Sequence, residues 1–170
     1  MVRLSVFSTP WTKPAIIQLA ASAAAARGAK KKPVWIIGTG EATKYRENGG
    51  DITVSAGAQS APIAFGEAGV KPEELDLAMI YDSFTITVAT ILEDLGFCKK
   101  GEYKDFAKGN RFRFDSALKP ALNTDGGGLS SNHPGMRGLF LLLESVRQLR
   151  GESTSQIENA QLAIAHGNGG

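Results

Sequence analysis

Unbroken apolar runs and helically spaced apolar positions alternate along most of the chain. "VWII" before Gly38, "LAMI" before Tyr81 and "LAIA" before His166 are short apolar runs bounded by glycine, polar or charged residues. Runs of this length, with no polar alternation, suit strands buried on both faces. They predict strands at about 34–38, 76–80 and 161–165. Between them, residues 58–67 read as a helix stopped by Gly69. In "SFTITVATILEDLGF" the β-branched residues favour strand. Phe84, Val88, Ile91, Leu92 and Leu95 nevertheless fall at helical spacing, with Ser83 as N-cap and Gly96 as stop, so a helix is predicted. A third helix is predicted from Pro134 to about Arg150, with Leu139, Leu142, Leu143, Val146 and Leu149 as its apolar face and Pro134 at the first helical position. Asn48-Gly49-Gly50 is turn chemistry, and the charged, aromatic stretch 99–119 reads as a surface excursion. Strands alternating with helices give an α/β class.

The first 32 residues follow another pattern. They hold no acidic residue and an alanine tract, "AASAAAA", that favours helix. They show no strand pattern, which leaves helix or disorder open and sets 1–32 apart as an atypical segment before a domain at 33–170. The apolar run 15–26 is short for a membrane span, and Lys13 and Pro14 break its approach as a signal core. A length of 170 residues suits one domain. A net charge of +2 gives no argument for nucleic acid or an anionic membrane surface. A single cysteine, Cys98, excludes an internal disulfide framework and a Cys-based zinc cluster, and fits the reducing cytoplasm.

Chemistry concentrates in three places at strand ends or helix starts: Tyr81-Asp82-Ser83-Phe84, the stretch Asn123 to Gly138, and His166-Gly167-Asn168-Gly169-Gly170. Loops at the carboxyl ends of strands usually build the site of an α/β protein. His133, placed at the N-cap of the helix that Pro134 opens, would feel the positive end of the helix dipole, which disfavours imidazolium. A neutral imidazole can take a proton, or donate a hydrogen bond to a developing oxyanion. The glycines would let the backbone approach a ligand and leave N–H groups open. The structural alternative stays open: glycines that serve turns, a tyrosine that packs, a histidine that caps its helix. A phosphate loop is not indicated, since its Lys and Ser/Thr are missing.

These three features, in this order, resemble the C-terminal half of the thiolase superfamily, most of all its sterol-carrier and lipid-transfer branch. "NTDGGGLSSNHPGMRG" is similar to that family's Asn, glycine pair and Gly-His-Pro pattern. "YDSF" stands where the family has Asn-Glu-Ala-Phe or His-Asp-Cys-Phe, and "AIAHGNGG" where it has Cys-x-Gly. The resemblance implies the second half of a layered α-β-α assembly. It implies carbon–carbon bond formation or cleavage beside a coenzyme A thioester, in fatty-acid or sterol-type lipid metabolism. Coenzyme A or acyl-CoA is then a substrate, with no bound cofactor and no metal. It implies catalytic roles for His133, Tyr81 and His166, and oxyanion or substrate contacts from Asn123, Gly127, Gly128, Asn132, Asp82, Gly167 and Gly169.

Three departures qualify this. No cysteine occupies the last motif, where His166 or Gly167 stands, and His166 could replace it as a base only by pointing into the site. Tyr81 replaces asparagine or histidine, and Asn132 replaces the glycine before His-Pro. The acylated cysteine belongs to the family's first half, and Cys98 in "LGFCKK" matches no nucleophile context. Catalysis by this chain alone is therefore left open. The partners implied are a missing N-terminal half, a homodimer mate or a small zinc-ribbon/OB-fold protein. The alternatives are a retro-aldolase on acyl-CoA side chains and a non-catalytic acyl-CoA-binding or subunit-pairing domain. The pattern also implies a closing strand after Gly170, so a truncated or frameshifted reading frame is expected.

Overall fold

The structure is a computed structural model that describes residues 3–8, 28–43, 50–131 and 135–168. Among the described residues, five parallel strands form one sheet in the order β2-β1-β5-β3-β4. They are β1 (Arg3–Ser8), β2 (Trp35–Glu41), β3 (Leu77–Ile80), β4 (Ala121–Leu122) and β5 (Leu162–His166). The described helices are α1 (Gly57–Ala68), α2 (Thr85–Asp94), the single turn α3 (Tyr103–Phe106) and α4 (Arg137–Arg150). Short 3-10 turns lie at Pro72–Glu74 and Gly128–Ser130.

The period of two along each strand divides the core. Ala78, Ile80 and Ile164 pack with Ala61 and Ala64 of α1 and with Val88, Ile91 and Leu92 of α2. Leu77, Met79, Ala163 and Ala165 pack on the opposite face with Leu141 and Leu149 of α4. The sheet thus has helices on both faces, the α-β-α layering expected of the class. α1 ends at Gly69 in the left-handed conformation, as its sequence predicts.

Four expectations are corrected. A strand, Arg3–Ser8, comes from the segment that showed no strand pattern. It runs between β2 and β5 in parallel register, Leu4 opposite Ile36 and Ala163. The alanine tract of that segment lies outside the described residues. α2 begins at Thr85 behind Phe84, and Ser83 does not cap it: its Oγ lies 3.2 Å from Thr87 Oγ1. α4 begins at Arg137, with Met136 at the N-cap position that was expected of His133. β5 includes His166, which the sequence had placed in the following loop.

The buried face of α4 also differs. Leu139 and Leu143 are 41% and 46% exposed, while Glu144, Ser145 and Gln148 are buried. Partners explain the inversion. Glu144 Oε1 accepts from the hydroxyls of Thr124 and Ser153, each at 2.7 Å. Gln148 donates to Ser155 O at 2.7 Å and accepts from Ile157 N–H at 2.9 Å. A buried polar side chain with satisfied donors and acceptors holds a helix in place where a solvated leucine does not.

β2 and α1 touch through glycine. A Cβ at Gly40 would overlap the carbonyl oxygen of Ser60, and one at Gly38 that of Ala64. These contacts are backbone, so no side chain can swing away. Gly40→Ala should lower stability by about 2 kcal/mol, read as a fall in the urea midpoint at unchanged slope.

Candidate functional site

The site is built at the carboxyl ends of β3, β4 and β5. β3 ends at Ile80, and Tyr81 follows in register, its N–H donating to His166 O at 2.9 Å. By the strand period Tyr81 continues the Leu77–Met79 row, and it packs against the α4-side cluster. Asn123 extends the sheet beyond the two-residue β4. Its Oδ1 accepts from Ile80 N–H at 2.8 Å and its Nδ2 donates to Ile80 O at 3.0 Å. An amide that satisfies both groups of one strand residue does the work of a further strand residue, and Asn123 does so with φ of 45°.

The glycine loop then turns back over Asp82. Gly126 and Gly127 have φ of 92° and 78°, and a Cβ at Gly127 would collide with Asp82 Oδ2. Asp82 is buried and takes the N–H of Gly128 at 2.8 Å and of Leu129 at 3.1 Å. Asp125 takes the N–H of Gly127 at 3.0 Å. The N–H groups of Gly127 and Gly128, expected to stay open for an oxyanion, are therefore engaged by carboxylates. Arg137, only 2% exposed, completes the knot. Its Nε donates to Asp82 Oδ1 at 3.3 Å, its Nη2 to Asp125 Oδ1 at 3.1 Å, and its Nη1 to Asp125 Oδ2.

Tyr81, Asp82, Asn123, Gly127 and Gly128 are thus brought together, and Gly167 follows β5 beside them. His133, Asn132 and Gly169 lie outside the described residues. His166 is placed elsewhere. It pairs with Ile80 across the sheet and shares that residue's face, opposite Tyr81. Its ring lies under the start of α1, where a Cβ at Gly57 would come within 3.3 Å of Nε2 and 3.7 Å of Asp94 Cβ. It is 1% exposed, and burial pushes its pKa down to about 4 against an opposing pull from Asp94. The condition for His166 to serve as a base, that it point into the site, is not met in this arrangement.

Sequence reasoning missed Asp125 and Arg137. One signal was present: an arginine in the first turn of a helix opposes the dipole and calls for nearby carboxylates. Cys98 lies past the far end of α2, a ten-residue helix of about 15 Å. Burial, then Glu93 and Glu102, push its thiol up to about 11 from 9.0. That leaves about a hundredfold less thiolate, against an intrinsic nucleophilicity about tenfold higher. Alkylation by iodoacetamide at pH 8 should run about tenfold slower than for free cysteine, measured by intact mass. Among the described residues, no three His, Cys, Asp or Glu side chains could hold a metal ion, and no helix is long and apolar enough to cross a membrane.

Parallel strands layered between helices, with the Tyr81–Asp82 segment and the glycine loop meeting at the strands' carboxyl ends, define an α/β domain with a candidate site there. Residues 38–170 match the thiolase C-terminal domain-like family, and the chain belongs to it. It is 36% identical over 123 residues to an acetyl-CoA acetyltransferase of Methanothermobacter thermautotrophicus, covering 71% of this chain and 32% of that protein. It is 35% identical over 97 residues to the 17-hydroxy-3-oxo-4-pregnene-20-carboxyl-CoA lyase of Mycobacterium tuberculosis, covering 57% and 24%. A solved Ltp2-ChsH2(DUF35) aldolase superposes with a TM-score of 0.64 at 27% identity, over 72% of this chain and 33% of that one. The chain spans a third or less of the length of these relatives.

Proposed function

We propose that this chain is the C-terminal half of a thiolase-type acyl-CoA enzyme, acting beside a coenzyme A thioester in lipid metabolism. The observation that carries this is the meeting of Tyr81, Asp82 and the glycine loop at the strands' carboxyl ends in a thiolase C-terminal domain-like chain. In this reading coenzyme A is the acyl carrier and substrate, with no resident cofactor. Tyr81 donates a hydrogen bond to the thioester oxygen as it gains charge, and His133 moves the proton. The nucleophilic cysteine comes from a first half or a partner chain, since Cys98 is remote and held protonated. Acyl transfer then needs that second component, whereas acyl-CoA binding does not.

Calorimetric titration of acetyl-CoA into wild type, Tyr81→Phe and His133→Ala tests this. Saturable binding by the wild type, weakened at least tenfold in each variant, is expected. A folded wild type that binds neither coenzyme A nor acetyl-CoA would refute the reading.

A second reading is favoured by Tyr81 together with glycine, not cysteine, at position 167. Here the chain contributes to retro-aldol cleavage of a β-hydroxyacyl-CoA, in which the hydroxyl loses its proton, the Cα–Cβ bond breaks and Cα is reprotonated. The lyase relative's name describes such a thioester. Cleavage without a covalent acyl-enzyme, by mass spectrometry of quenched mixtures, would select this reading over acyl transfer.

A further inference from the structure

We propose that Arg137 is a positioning residue, whose guanidinium holds the Tyr81–Asp82 loop and the glycine loop as one unit. The sheet and helices have their own cores, but residues 123–129 do not. That stretch contains a left-handed Asn123, two glycines of positive φ and one short 3-10 turn, with little regular ladder of its own. Asn123 and Thr124 tie its start to Ile80 and Glu144, and the Ser130 and Ser131 hydroxyls bond back to Gly127 O. What joins it to the Tyr81–Asp82 segment is carboxylates, which take the N–H groups of Gly127, Gly128 and Leu129. Both carboxylates are in turn oriented by Arg137, Asp82 through Nε and Asp125 through both terminal nitrogens.

The geometry asks for a fork. One planar group spans two carboxylates on different loops, 55 and 12 residues away in sequence. A lysine ammonium brings charge without that fixed spread of donors. Arg137 and Asp82 have side-chain exposures of 2% and 5%, so little water replaces a lost bond. Asp82 adjoins Tyr81 directly, and Tyr81 N–H is tied to β5. Freeing Asp82 therefore releases the segment that aims the phenol, while β3 and β5 keep their ladder. The functional meaning of this positioning rests on the acyl-CoA reading; the positioning itself does not.

The test separates the two. The chain has three tyrosines, Tyr45, Tyr81 and Tyr103, so 3-fluorotyrosine labelling gives three fluorine signals, and Tyr81→Phe assigns the one that matters. Tyr103 stacks on Phe112 in the aromatic cluster of the excursion and serves as reference. In both Arg137→Lys and Asp125→Asn, the Tyr81 signal should shift and broaden while Tyr103 stays, and acetyl-CoA should bind at least tenfold more weakly. A Tyr81 signal unchanged in either folded variant overturns the proposal. So does a Tyr103 signal that moves with Tyr81 in both variants, which marks a general loosening of the fold. If Tyr81 responds alone but the wild type binds no acetyl-CoA, the positioning role stands and the acyl-CoA reading falls.

Discussion

Arg137→Met should lower stability by about 3–5 kcal/mol, the range for removing one partner from a buried ion pair. The loss comes less from the missing attraction than from what stays behind. Asp82, with a side chain 5% exposed, would be left with only the N–H groups of Gly128 and Leu129 facing it. Asp125 is 21% exposed and can recover part of its hydration, so Asp82 carries most of the effect. Urea unfolding should show the midpoint falling with the slope unchanged. The cycle with Asp82→Asn gives the sharper result. Asparagine keeps one acceptor oxygen and removes the charge, so Arg137→Met on that background should lose clearly less. A coupling of about 0.5–3 kcal/mol is expected for residues in one network. A near-zero coupling would mean that the loop is held by its backbone contacts alone.

The same knot shows what local sequence could and could not convey. Tyr81-Asp82 and the glycine run are legible because a polar cluster follows an apolar strand and glycine permits positive φ. Arg137 is not, because its meaning lies in Asp82, 55 residues away. β1 escaped for a related reason. Six residues with two serines make a weak local signal, and its place comes from pairing on both sides with strands far along the chain. The helix pattern was sound for α1, where small residues meet β2. It misled for α4, where the count of leucines outweighed a polar face whose partners, Thr124, Ser153 and Ser155, lie in loops. At the end of β5 an error of one residue moved His166 from loop to strand. With a period of two, membership of the strand decides which face its ring occupies.

That placement carries the second large expectation. Acidification from pH 7 to pH 5 should lower stability by about 2 kcal/mol through His166. Its folded pKa is about 4, pushed down first by burial, with Asp94 opposing. An unfolded histidine titrates near 6.5. A group depressed in the folded state binds fewer protons there than in the unfolded chain. Its contribution is therefore complete above about pH 6.5 and disappears as the pH falls towards 4. Most carboxylates of an unfolded chain titrate near 4, so pH 5–6.5 isolates the histidine. His166→Asn should flatten the stability profile there, measured by urea midpoints at half-unit steps. Its absolute stability can fall without affecting this comparison, since only the slope is read. The chain's other histidine is His133. A slope that survives His166→Asn but vanishes in His133→Ala would move the titrating group out of the strand and into the loop before α4. Loss of the slope in His166→Asn would instead leave His133 free to report on the site alone, in any pH profile of acyl-CoA binding.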